Sequence, residues 1–273
     1  MKIIIGASGK LARHIVPELR KSGEEILTFD RNDTVRWLEQ PEILAPSDDV
    51  VILNCAAKTN TRFCEEHRLE SFSDNAGLAD RVATVCQKKG YKHIYLSSEV
   101  VFGSNDFRNV PSEHCRPHPY TWYGATKHMG ELVTLNAGGM VIRLPMLVNL
   151  NDQLTVLGQL YKKLKEGHEV QASTCCYSTP ITYHEAAIGI TDIISKRMYD
   201  HEPIIHVAGE AYMSIYDIVE GAAIRDGLNT SLIRVLQHRP EDVALLLTCG
   251  GLTSQIVCPI KSCIKAKGEI GNV

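Results

Sequence analysis

The chain has 273 residues, 44% of them hydrophobic and 22% charged, enough apolar matter for one large α/β unit whose core needs no disulfide or structural metal. A formal net charge of -3 excludes a global attraction to nucleic acid or to an anionic membrane surface, while leaving room for local capture of an anion. No apolar run approaches the roughly 20 residues of a membrane span, and nine scattered cysteines without a CxxC pair read as small buried hydrophobes of a reducing compartment, so a cytoplasmic protein is expected.

Taken in chain order, short apolar runs at Lys2–Ile5, Glu25–Phe29, Val50–Asn54, Lys92–Leu96 and Met140–Arg143 predict buried strands. Stretches with helical spacing lie between several of them, at Leu11–Lys21, Ser73–Lys89 and Tyr123–Asn136. Strands alternating with helices predict a doubly wound parallel sheet over residues 1–150. Pro17 should kink the first helix or sit where its missing N–H does no harm. From about Leu150 the rhythm changes, with helices expected at Leu154–Glu166, Thr182–Ile194 and Ser214–Ile224 and a strand at Ile204–Val207. Residues 151–273 are read as mostly a smaller C-terminal substrate lobe, interwoven with the sheet. Past Arg239-Pro240 the pattern fades, and Gly268–Val273 are expected to be disordered.

The first strand runs into Gly6-Ala7-Ser8-Gly9-Lys10-Leu11-Ala12, which opens a helix. A tight turn there needs glycine's free backbone angles. The helix start then offers unpaired N–H groups and a positive dipole end to a pyrophosphate. Gly6, Ser8, Gly9, Lys10 and Leu11 are therefore candidate dinucleotide contacts. The spacing is GxxGxxA, and the strand before it and the helix after it supply the context that a glycine pattern alone lacks. Asp30 follows the second strand, 24 residues after Gly6, where an acid can accept hydrogen bonds from the adenosine ribose. Arg31 or Lys10 could instead reach a 2′-phosphate. The cofactor is NAD(H) or NADP(H), with the lean to NAD(H).

Tyr123 and Lys127 are four residues apart, on one face of a predicted helix. A phenol with pKa about 10 is a poor acid–base group at neutral pH, and a nearby ammonium is expected to lower it. Such a tyrosine can give a proton to a carbonyl oxygen as hydride reaches the carbon. Ser98 closes the fourth central strand, where side chains point into the ligand crevice of a parallel sheet. Its hydroxyl can hold the same oxygen.

These residues resemble the extended short-chain dehydrogenase/reductase family, and with it the Rossmann-type fold. The likeness spans most of residues 1–240. It includes Asn54-Cys55-Ala56-Ala57, Asn75, Pro119, Gly130-Glu131 after Lys127, Arg143-Leu144-Pro145, and a late Arg239-Pro240. The resemblance implies Ser98, Tyr123 and Lys127 as the catalytic trio. It also implies cofactor contacts from Cys55, Ala56, Ala57, Pro145, Tyr123 and Lys127, a nucleotide-sugar substrate and a homodimer.

Ser97-Ser98-Glu99-Val100-Val101-Phe102-Gly103 looks most like the dTDP-4-dehydrorhamnose reductase branch. Sugar-nucleotide 4,6-dehydratases carry Asp-Glu where this chain has Glu99 and Val100, and valine cannot take a proton. Lys58 and Arg62 depart from the branch pattern. With Glu99 and Trp122 they are candidate substrate contacts, Trp122 either flanking the sugar or packing. Two alternatives share the framework: a sugar-nucleotide epimerase, and a non-catalytic dinucleotide-binding subunit like the regulatory subunit of methionine adenosyltransferase. His114, His118, His128 and His184 lack zinc spacing, so no metal is expected.

Overall fold

The computed structural model describes residues 1–44, 49–103 and 111–237, and the backbone of 256–258. Six strands form its parallel sheet: β1 (Lys2–Ile5), β2 (Ile26–Phe29), β3 (Val51–Asn54), β4 (Lys92–Ser98), β5 (Met140–Leu144) and β6 (Ile204–Gly209). A further strand, β7 (Ile256–Cys258), pairs parallel with β6. The order across the sheet is β7-β6-β5-β4-β3-β1-β2. The chain leaves β1 in one direction to β2 and returns past it to β3, so the winding reverses between β1 and β3. Crevices that bind ligands in such sheets open at that reversal, beyond the carboxyl ends of the strands.

Period-two alternation gives the sheet two cores. Ile4, Val51 and Leu53 share one with helices α1 (Ala12–Lys21) and α8 (Tyr183–Ser195). Ile3, Ile5 and Ile52 share the other with Trp37 of α2 (Arg31–Glu39) and Val82 and Cys86 of α5 (Leu78–Lys89). Helix α6 (Trp122–Asn136) lies against β4, and two short helices, α3 (Thr61–Glu66) and α4 (Arg68–Phe72), approach its start. Between α4 and α5 the helix widens into a π turn at Ser73–Gly77. Pro17 falls on the exposed face of α1, which runs on through it; water can take the carbonyl bond left open there.

The second half of the chain contributes α8 and β6 to the sheet layers. Around α7 (Val156–Lys165) and α9 (Ile215–Arg225) it builds a separate apolar cluster that includes Leu157, Tyr161, Ile218 and Ile233. Short strand pairs stitch this lobe together, Tyr177–Ser178 with Met213–Ser214 and Val170–Ala172 with Ile233–Val235. Among the described residues no helix is long and apolar enough to cross a membrane. Arg239-Pro240 and Gly268–Val273 lie outside the described residues.

The other predicted elements appear with ends shifted by at most two residues, β4 and β6 running two residues further than expected, while the helix expected at Ser73–Lys89 opens with the π turn and becomes α-helical at Leu78. Helices α2, α3 and α4 were not expected. Helix α2 begins with a reciprocal cap in which Asp30 accepts from the Asp33 N–H and Asp33 accepts from the Asp30 N–H. An acid read as a ribose contact is thus also the residue that starts a helix.

Candidate active site

The crevice between the β1 and β3 loops has a volume of about 350 Å³. Gly6 adopts φ 75°, and a Cβ on it would stand 2.8 Å from the Ala56 nitrogen. Glycine is what lets the two loops touch. The Gly9 N–H closes the turn on the Gly6 carbonyl at 2.9 Å. Gly6, Ser8, Gly9, Asp30, Arg31, Cys55, Ala56 and Ala57, the candidate cofactor contacts, line the crevice, and so does Lys58, a candidate substrate contact. Thr34, Asp74 and Arg81 line it too, and were missed because they lie on helical segments that carry no local ligand signature. Arg31 pairs with Asp74 at 3.3 Å across the mouth.

Helix α1 has no acid in its first turn, so nothing in that turn competes for its positive end. A main-chain cradle at a helix start, flanked by exposed arginine, fits the pyrophosphate and adenosine end of a dinucleotide. Two expected contacts differ. The Lys10 ammonium turns to the Asp152 carboxylate in the loop before α7, and Leu11 packs its side chain on the core. Neither side chain lines the crevice. Opposite charge and apolar burial claim them, and main chain is what this stretch offers a ligand. Burial pushes the Cys55 thiol up to about 12, with the Lys127 charge opposing, which leaves it a packing group.

Beyond the crevice, Thr121 caps α6 by accepting from the Gly124 N–H at 3.1 Å. Gly124 brings the helix so close to the 99–101 turn that a Cβ would lie 2.6 Å from the Val100 carbonyl oxygen. That approach sets Tyr123 near Ser98, whose hydroxyl favours the phenolate. Lys127 is buried one helical turn on. Its Nζ donates to the Leu96 carbonyl at 2.6 Å and sits 4.0 Å from the Tyr95 ring centroid. The sequence reading expected an ammonium to lower the tyrosine. Burial instead pushes the Tyr123 phenol up, Cys64 adds to this, and Ser98 offsets only part. The reason is that Lys127 points its bond at β4, and burial pulls its own pKa down to about 7.

The other candidates separate. Lys58 lines the crevice, pairs with Glu70 at 3.3 Å and stands over the Phe63 ring. Arg62 is exposed on α3. Glu99, a candidate substrate contact, is buried and accepts from the Ser178 hydroxyl with both oxygens at 2.8 Å. Burial pushes its pKa up to about 8 against the opposing hydrogen bonds. Trp122 donates its ring N–H to the Arg68 carbonyl and stacks with that arginine, so it fastens α6 to α4. Pro145 is buried directly after β5. Asn75, within the π turn, accepts from the Lys58 N–H at 2.7 Å and donates to the Thr126 hydroxyl at 2.9 Å, tying the β3 loop to α6. The described residues hold no cluster of three or more His, Cys, Asp or Glu able to bind a metal.

Comparison with known proteins agrees with this layout. The chain is 25% identical over 255 residues to methionine adenosyltransferase 2 subunit beta of Xenopus laevis, covering 87% of this chain and 75% of that protein. It is 29% identical over 136 residues to dTDP-4-keto-6-deoxy-D-glucose reductase of Streptomyces niveus, about half of each chain. The crystal structure of dTDP-4-dehydrorhamnose reductase from Bacillus anthracis, in complex with NADP, has the same fold, with a TM-score of 0.78 at 22% identity over 93% of this chain and 90% of that one. Residues 1–242 match the RmlD substrate binding domain family, and the chain belongs to that family.

Proposed function

We propose that the protein reduces a keto group on a nucleotide-linked deoxysugar, using a nicotinamide dinucleotide. The observation that carries the reading is the Tyr123–Ser98 pair at the end of β4, beside a glycine cradle shaped for a dinucleotide. The reductase relatives and the family membership point the same way. When bound, the cofactor supplies hydride to the carbonyl carbon. The Ser98 hydroxyl holds the carbonyl oxygen. Tyr123 donates a proton to that oxygen. It carries its proton at neutral pH, as proton donation in the reductive direction requires. The phenolate left behind is stabilised by the Ser98 hydroxyl and by the Lys127 ammonium one turn away. Burial keeps water from competing at the oxygen.

Gly6, Ser8, Gly9, Cys55, Ala56 and Ala57 would hold the dinucleotide, with Asp30 toward the ribose, Arg31 beside it and Pro145 toward the nicotinamide. Lys58 is the side chain best placed on the substrate side, with the lobe built around α7 and α9 taking the sugar. Among the six described cysteines none forms a disulfide, which supports a cytoplasmic enzyme.

The test is turnover with a dTDP-4-keto-6-deoxysugar and NADH or NADPH. Tyr123→Phe should lower kcat by roughly 10²–10⁴-fold and leave cofactor affinity near normal, because the phenol acts on substrate. Stoichiometric cofactor oxidation separates a reductase from an epimerase. A Tyr123→Phe protein with near-full turnover would remove Tyr123 from the chemistry.

A further inference from the structure

On α6 the buried face does not stop at Lys127. Tyr123, Lys127 and Glu131 follow one another at four-residue intervals, and all three are buried. Glu131 is 1% exposed and receives two parallel bonds from the Arg143 guanidinium, Nε to Oε1 at 2.8 Å and Nη2 to Oε2 at 2.9 Å. His128 Nδ1 lies 3.3 Å from the same carboxylate. Arg143 is itself buried on β5, with Nη1 3.3 Å from His206 Nε2 and its plane over Phe102. A forked pair of this kind fixes a carboxylate in angle as well as position.

The remaining described surroundings of Lys127 offer its charge a carbonyl, a ring face and a thiol, and no carboxylate. From β4 come the Tyr95 ring and the Leu96 carbonyl; from the end of β3 comes the Cys55 thiol; from α6 come Tyr123 and Glu131. Among the described residues Glu131 is the carboxylate in that shell, and Arg143 grips it from β5. Gly130 tightens the arrangement, since a Cβ there would meet Tyr95, 2.6 Å from its Cζ, and would lift the ring away from the lysine.

We propose that Glu131, gripped by Arg143, is a positioning residue for the reaction, whose carboxylate keeps the buried Lys127 ammonium charged and set behind Tyr123. The inference rests on the reading of Tyr123 and Lys127 given above. Burial alone would raise the Glu131 carboxyl, but the bonds from Arg143 and His128 and the Arg143 charge bring it down to about 2, so it stays ionised across the working pH range. Burial pulls Lys127 down to about 7, with Glu131 the largest opposing influence. Removing the carboxylate takes away the largest influence that opposes burial, and the lysine loses its proton at lower pH.

Two measurements on one set of variants test this. The set is Glu131→Gln and the double variant Glu131→Gln/Arg143→Met, which avoids stranding a buried guanidinium. The first measurement is the Lys127 midpoint, by NMR on ¹³Cε-lysine-labelled protein with Lys127→Arg to assign the resonance; it needs no turnover. The second is the pH profile of kcat with the keto-sugar nucleotide and excess cofactor. The midpoint should fall by about one pH unit. The alkaline limb of kcat should move down with it, giving roughly tenfold loss above pH 8 and less than about twofold below pH 6. A midpoint that stays put in either folded variant overturns the inference. A midpoint that falls while the rate profile does not move removes Lys127 from the chemistry, and the positioning role with it.

Discussion

The glycine-turn end of the site meets solvent with main chain and with exposed side chains: Gly6 at positive φ, the Gly9 turn, and Arg31 with its side chain 77% exposed. Two strands across the sheet from β1, the β4–α6 end is built from ionisable side chains that scarcely see water: Tyr123, Lys127, Glu131, Arg143 and, on the lobe side, Glu99. A backbone cradle costs little to keep, because water can solvate whatever the ligand does not. Buried charge is costly unless every member is paired, so that end either stands complete or fails together. The two carboxylates there show how fine the balance is. Glu131 meets a guanidinium and is held ionised near 2; Glu99 meets a hydroxyl and an amide, and burial lifts it to about 8.

This contrast orders what substitutions should do. Arg143→Met strands Glu131 at 1% exposure and should destabilise the fold by about 3–5 kcal/mol, read from urea unfolding. A loss below about 1 kcal/mol would mean that water reaches this end after all. Glu99 gives a pH signature. Its folded pKa is raised from 4.5 to about 8, so the folded state holds a proton the unfolded chain has released. That contribution is fully present below about pH 4.5 and fades as pH rises through 8. Glu99→Gln should flatten this decline, a difference on the order of 2 kcal/mol between pH 5 and pH 9. Parallel pH curves for the two proteins would count against a protonated Glu99.

At the other end the expected effects are smaller and fall on binding. Gly6→Ala should cost on the order of 1–3 kcal/mol of dinucleotide affinity, because it combines a disfavoured φ with a Cβ 2.8 Å from Ala56 N. Gly9→Ala should cost less, since its Cβ meets only the Gly6 carbonyl at 3.1 Å. Arg31→Ala should lower NADPH affinity by only about threefold and leave NADH unchanged, since an exposed charge already paired with Asp74 contributes little. A larger loss of NADPH affinity would reverse the lean to NAD(H).

The same contrast explains what could be read before the structure. The glycine turn, Asp30 and the Asn54–Ala57 segment are local patterns, each with its meaning set by a few neighbours. Tyr123 and Lys127 were legible because helical spacing places them on one face. The coupling of Glu131 to Arg143 joins α6 to β5 and becomes visible only when the strands are placed. The partners of Glu99 and Lys10 were hidden for a related reason: Ser178 and Asp152 come from the second half of the chain, 79 and 142 residues away. Helix α2 escaped notice because a surface helix at a sheet edge shows few apolar positions, Trp37 being the one hydrophobic side chain it buries.

The π turn at Ser73–Gly77 is, in chain length, a helix with one residue too many. Its surplus aims Asn75 at both Lys58 and Thr126 while α5 continues along the sheet. Shortening the chain by one residue here would give an unbroken α-helix with more regular hydrogen bonds. Everything before the deletion would rotate by about 100° against everything after it. Such a protein would exchange the alignment of its two loops for a better helix, and the extra residue is a measure of how far local regularity has been surrendered to keep the crevice and the tyrosine in register.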